Sequence, residues 1–185
     1  MIEAFGRDKF KPDPDTVPAI DKRWIEVRNV REQARKARLL NDPKAQEKAA
    51  SVGADLYVIH PKTKERALMN DTVRVDFLER IENYIAADGD ADLRRRGIDP
   101  SKLSFEQRYY EQLGGDKLLK ELEQRGLNPY MDDKLQHRIT DLLAYQAYVK
   151  LGGDDAYVEL GCPQNKDVTL SNRVDFMRTK LKLRG

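Results

Sequence analysis

The chain has 185 residues, 39% of them hydrophobic and 36% charged, and carries a net charge of +2. A chain of this length buries enough surface to hold a core without disulfides or metals, and its high charge content suits helices with wide solvated faces. No run approaches the roughly 18 consecutive apolar residues of a membrane span, and a single cysteine, Cys162, with only His60 and His137 as imidazoles, leaves neither an intramolecular disulfide nor a zinc finger.

Residues 1–19 read as an extended arm. Pro12, Pro14 and Pro18 bias their predecessors away from helix, and the first fifteen residues lack the apolar core of a secretory leader. The arm buries too little to order alone, so it is expected to order on a partner, with the aromatic areas of Phe5 and Phe10 as docking residues. A helix follows over about 17–40, with Ile20, Trp24, Val27, Val30, Ala34 and Ala37 on one packing stripe. Asp42-Pro43 opens a second, short helix that ends by Gly53. Residues 55–69 carry the one β signal. Leu56, Tyr57, Val58 and Ile59 precede the turn-like His60-Pro61-Lys62-Thr63-Lys64 and predict a small hairpin. Asn70 or Asp71 caps a helix over 71–87, whose apolar side is Val73, Val75, Phe77, Leu78, Ile81, Tyr84 and Ile85.

Over 96–161 two phrases recur. Arg96-Gly97-Ile98-Asp99-Pro100 echoes Arg125-Gly126-Leu127-Asn128-Pro129, and Leu113-Gly114-Gly115-Asp116 echoes Leu151-Gly152-Gly153-Asp154. Aligning the second pair places Tyr110 on Tyr148, Glu121 on Glu159 and Leu122 on Leu160. Each phrase is a helix stop followed by a helix start, with glycine in the left-handed position and an apolar residue behind it. The implied unit is helix, tight corner, helix, in two copies of unequal length. A helix over 133–150 carries the stripe Leu135, Ile139, Leu142, Tyr145 or Gln146, and Val149. In the last helix, over 169–183, Arg173-Val174-Asp175-Phe176-Met177 echoes Arg74-Val75-Asp76-Phe77-Leu78. The fold class is mainly α: a multi-helix bundle with orthogonal and antiparallel packing, one small β-hairpin and an extended N-terminal arm. Residues 20–185 are read as a single helical domain.

Candidate chemistry is sparse. Asp88, Asp90 and Asp92 supply carboxylates at positions 1, 3 and 5 of a calcium-type loop, with Asp99 at position 12. Leu93 stands where that loop needs glycine, and Arg94, Arg95 and Arg96 fall inside it, so an acidic loop paired with neighbouring arginines is the better reading. Neither histidine has a spaced ligand partner, Cys162 has no neighbouring base, and no nucleotide-binding or hydrolase motif occurs. No catalytic residue, metal or cofactor is expected. Charge is segregated instead: residues 20–40 and 173–185 are each +4, against a net −5 over 41–172. The expected interaction residues are Phe5, Phe10, Trp24, Arg28, Arg31, Arg35, Arg178, Lys180 and Lys182. The leading expectation is a non-enzymatic structural, assembly or interaction protein, a component of a large complex such as a virion or of the cytoplasm, with other subunits or copies of itself as partners and no membrane. The alternative is a helical nucleic-acid-binding accessory factor, although a pI near 8.5 is modest for one.

Overall fold

The computed structural model describes residues 19–127, 129, 134–165 and 167–184, leaving aside the side chains of 19–28, 183 and 184. The arm with Phe5 and Phe10 lies outside the described residues, as do the side chains of Trp24 and Arg28. The chain divides into two compact units, 1–38 and 39–185.

The described part of the first unit belongs to one helix, α1 (Ala19–Leu40). Toward its end the stripe narrows to alanines and is exposed. Val30 is 66% exposed, and Ala34 and Ala37 are exposed too. One valine and two alanines offer too little area to hold a helix face against water. Lys36 instead pairs with Glu32 at 3.2 Å across one turn.

In the second unit the elements are α2 (Ala45–Ser51), β1 (Tyr57–Ile59), β2 (Arg66–Leu68), α3 (Asp71–Ala86), α4 (Gly89–Arg95), α5 (Phe105–Leu113), α6 (Gly115–Gln124), α7 (Leu135–Lys150), α8 (Gly153–Glu159) and α9 (Leu170–Arg184), in the expected order except that α4 stands where a loop was expected. The protein is mainly helical with one antiparallel hairpin, in which Tyr57, Val58 and Ile59 face Leu68, Ala67 and Arg66. Asn70 caps α3 by accepting from the Val73 amide at 3.0 Å. Ser104 and Gln107 form a reciprocal capping box at the start of α5. Three helical hairpins follow one another: α3 with α4, α5 with α6, and α7 with α8. The second helix of each also packs on the first helix of the next, so that α4 meets α5, α6 meets α7 and α8 meets α9.

The core runs through this stack. Ile81, Leu93, Leu122, Ile139, Leu142 and Met177 are fully buried. Phe105 sets its ring edge-on to Phe77 and Tyr84, at 5.4 and 5.6 Å, and stacks on Tyr109. Two expected stripes shift at their margins. Val73 and Ile85 of α3 are 50% and 43% exposed. On α7 Val149 is 53% exposed, and its neighbour Tyr148 is buried in its place.

The helix stops have the geometry their glycines imply. Ile98, Leu127 and Cys162 each donate an amide to a carbonyl five residues back, closing Schellman turns with Gly97, Gly126 and Gly161 at positive φ. Gly114 and Gly152 turn the hairpin corners at φ 124° and 106°. A methyl group at Gly97 or Gly126 meets nothing within 4 Å, whereas at Gly114 or Gly152 it falls 2.7 Å from Leu118 or 2.5 Å from Ala156. Gly97→Ala and Gly126→Ala should therefore cost about 1 kcal/mol each, for the backbone alone. Gly114→Ala and Gly152→Ala should cost about twice that. Urea unfolding of the four variants checks the ranking.

Candidate interaction surface

The hairpin corners share one polar arrangement. The Tyr110 hydroxyl donates to Asp116 at 2.6 Å, and the Tyr148 hydroxyl to Asp154 at 2.8 Å, six residues apart in each case. A third corner does the same: Tyr84 donates to Asp90 at 2.6 Å, again across six residues. Asp88-Gly89-Asp90-Ala91-Asp92, read from the sequence as an acidic loop, is instead the start of helix α4. Asp90 accepts from Arg108 at 3.0 Å, and Asp92 lies within 3.7 Å of Arg95 and 3.5 Å of Arg96. The described residues contain no group of acids, histidines or cysteines placed to hold a metal.

Each corner is closed by an arginine from the first helix of the next hairpin or from α9. Arg108 on α5 binds Asp90 and the carbonyl of Val52, and Arg138 on α7 binds Asp116 at 2.8 Å. Arg173 on α9 donates to the Gly126 carbonyl at 3.3 Å and lies 5.0 Å over the Tyr157 ring, beside Tyr148. Asp154 is also bound by Arg125 at 3.0 Å. The Nε atoms of Arg108 and Arg173 are both buried without a hydrogen-bond partner among the described residues, the same departure at two equivalent places.

Burial, reinforced by the hydrogen bond to a carboxylate, pushes the hydroxyls of Tyr84, Tyr110 and Tyr148 well above the usual tyrosine range. The Tyr148 hydrogen bond, seconded by burial in the opposite sense and then by Arg125, leaves Asp154 below the usual carboxylate range. At Asp90 burial acts upward, but the hydrogen bonds from Tyr84 and Arg108 outweigh it and the net direction is again down. Carboxylates depressed in the folded state add stability above their unfolded value, about 3.9, and lose it as the pH falls through the folded values. Urea midpoints should therefore fall steeply below about pH 4. Asp154→Asn should flatten that fall, and an unchanged slope would exclude Asp154 from the acid response.

The hairpin faces solvent. All six strand residues are exposed, with Tyr57 at 40%, Val58 at 46%, Ile59 at 67% and Leu68 at 46%. Its root is held by buried Leu56, whose carbonyl accepts from the Met69 amide at 2.9 Å. Arg66 covers the Tyr57 ring at 4.3 Å and pairs with Asp55 at 2.8 Å. Between this root, α2 and α3 lies an open cleft of about 290 Å³. Its walls are Leu40, Leu56, Tyr57, Leu68 and Leu78, and its polar lining is Asp42, Gln46 and Arg74.

The residues expected to interact are spread over several elements. Arg31 is exposed and Arg35 half-buried on α1. Arg178, Lys180 and Lys182 are exposed on the last turns of α9, where cations also complement the helix dipole. The exposed hairpin was not among the expected residues. Its signal was the unbroken apolar run Leu56–Ile59, which outnumbers what one buried strand face requires.

The fold and its corners define a protein of consecutive helical hairpins with a solvent-facing β-hairpin. Comparison with known proteins adds no relative: no family model, no curated protein and no solved structure matches the chain at a significant level. Among the described residues no helix is long and apolar enough to cross a membrane.

Proposed function

We propose that this chain is a non-enzymatic assembly or protein–protein interaction protein that engages other subunits, or copies of itself, through the hairpin and the cleft at its root. One observation carries this reading: the hairpin exposes apolar side chains on both its faces, Tyr57, Ile59 and Leu68 on one and Val58 on the other, each 40–67% exposed. Single exposed apolar residues are ordinary on protein surfaces, but clusters mark contact sites. A component of a large complex, virion or cytoplasmic, fits such a surface. The test compares affinity capture from the native host with the parent chain and with Val58→Glu/Ile59→Glu. Both positions are exposed, so stability should change by less than about 0.5 kcal/mol per site. The captured set should be lost, and identical sets would remove the hairpin from the interface.

A second reading, a nucleic-acid-binding accessory factor, is favoured by exposed Arg31 on α1 and exposed Arg178, Lys180 and Lys182 on α9. It requires binding to DNA or RNA that weakens steeply with salt, with a slope reduced by Lys180→Ala/Lys182→Ala. Salt-independent or absent binding rules it out.

A further inference from the structure

We propose that the outer edge of β2 accepts an extended segment of a partner protein as a third, antiparallel strand, and that this segment is apolar where it begins and acidic where it reaches the hairpin turn. This deepens the interaction reading above and rests on it. The ground is the direction in which the strand amides point. The Met69 amide donates to the Leu56 carbonyl, and the His60 amide to the Glu65 carbonyl, at 2.9 Å each. Bonded and non-bonded pairs alternate along antiparallel strands. Val58 and Ala67 are therefore the bonded pair in between, and the N–H and C=O groups of Tyr57, Ile59, Arg66 and Leu68 point outward.

The two outward rows differ. On β1 the row is Tyr57, Ile59 and then Pro61. The Tyr57 amide already donates to the Asp55 carboxylate at 3.1 Å, and Pro61 has no N–H to give. Proline and local capping both blunt a sheet edge. On β2 the row starts at Lys64, whose amide closes the turn onto the His60 carbonyl at 3.0 Å, and continues through Arg66 and Leu68. The outward amides and carbonyls of Arg66 and Leu68 meet no partner among the described residues. All three residues of β2 are exposed. Two donors and two acceptors thus face solvent in one row, on a sheet of two strands that gains stability from a third.

Charge selects the strand that fits. Residues 62–66 carry Lys62, Lys64 and Arg66 against Glu65 alone. Lys62 and Lys64 are exposed and form no ion pair with a described residue, while Glu65 accepts from the Thr63 hydroxyl at 3.2 Å. Arg66 pairs with Asp55, but the two side chains are 60% and 48% exposed, so that pair gives way to an intermolecular one at little cost. These charges disfavour a second copy of β2. Two such strands paired about Ala67 would set their Arg66 side chains diagonally on one face, where like charges repel. The same charges attract acids on a foreign strand. Running antiparallel, that strand places one residue opposite Leu68, the next opposite Ala67, and the second and fourth after the first beside Arg66 and Lys64. An apolar side chain meets Leu68, a large one covers the small Ala67, and acids meet Arg66 and Lys64. Main-chain bonds supply affinity in this mode, and the alternating side chains supply specificity.

The probe is the capped hexapeptide Thr-Val-Phe-Glu-Thr-Glu, added to the full isotope-labelled chain and followed by amide hydrogen exchange. Near saturation it should slow exchange of the Arg66 and Leu68 amides about tenfold and leave the Ile59 amide unchanged. The same peptide with lysine at both acidic positions should bind about tenfold more weakly at low salt, and Lys62→Glu/Lys64→Glu should reverse that order. Methylating the peptide nitrogens of its valine and first glutamate, which face β2, should abolish protection. So should Leu68→Pro, which removes an outward donor without breaking the ladder to β1. Protection at Ile59 instead of Arg66 and Leu68, no protection, equal affinity for the acidic and basic peptides, or undiminished binding of the methylated peptide each overturn the proposal. Protection of Arg66 and Leu68 that rises with protein concentration alone also overturns it, by making a second copy the occupant. If the peptide fails while Val58→Glu/Ile59→Glu still abolishes capture of partners, the strand addition falls and the interaction reading stands.

Discussion

Gly89→Ala should lower the thermal midpoint by roughly 6–12 °C, corresponding to about 3 kcal/mol for a chain of this size. The cause is close approach. A methyl group there would lie 2.3–2.5 Å from three ring carbons of Tyr84. The ring has nowhere to retreat, with Phe105 edge-on at 5.6 Å and its hydroxyl tied to Asp90 at 2.6 Å. Relief requires moving either the α3–α4 corner or the ring, and the second also loosens Arg108, 5.9 Å from the ring centre. Gly97→Ala supplies the comparison, because its methyl group meets no neighbour. Scanning calorimetry showing equal shifts for the two variants would reject the close-approach account.

Arg108→Met should cost about 3 kcal/mol, near the lower bound for removing one partner of a buried ion pair, because Asp90 keeps some contact with water. Arg108 is 8% exposed and binds both Asp90 and the Val52 carbonyl, so its loss leaves two acceptors short. Arg138→Met provides the contrast. Its pair with Asp116 is of similar length, 2.8 Å, but the two side chains are 28% and 63% exposed. Water replaces such a pair at a cost under about 1 kcal/mol. Urea unfolding separates the two, and comparable losses would show that burial does not set the strength of these junctions.

Much of the architecture could be read from local signals. The Arg-Gly-Ile and Arg-Gly-Leu phrases mark Schellman stops because only a glycine takes the left-handed position without strain, and the Leu-Gly-Gly-Asp phrases mark corners for the same reason. The β-hairpin was legible from four consecutive strand formers followed by a proline-containing turn. The third corner was hidden by its aspartates. Their alternation over 88–92 imitates a cation loop, although Tyr84 stands six residues before Asp90 just as Tyr110 does before Asp116. The margins of the stripes on α3 and α7 shifted because 3.6 residues per turn leave neighbouring positions nearly equivalent, and packing chose between Tyr148 and Val149. Of the stripe expected on α1 only Val30, Ala34 and Ala37 are described, and these small side chains offer too little area to stay buried. The cleft was beyond local reading, since its lining comes from α2, α3, both strands and the segment after α1.

The junction arginines also bear on how the chain reaches its folded state. Each ties a corner to the helix that follows it, 18 residues onward for Asp90 with Arg108 and 22 for Asp116 with Arg138. Ordering between hairpins thus needs only short loops to close, and loop-closure entropy grows slowly with length. A topology of sequence-local contacts folds fast and accumulates cooperativity from neighbour to neighbour. Native-state hydrogen exchange should then resolve hairpin-sized steps, with Arg108→Met raising exchange in α3 and α4 more than in α7 and α8.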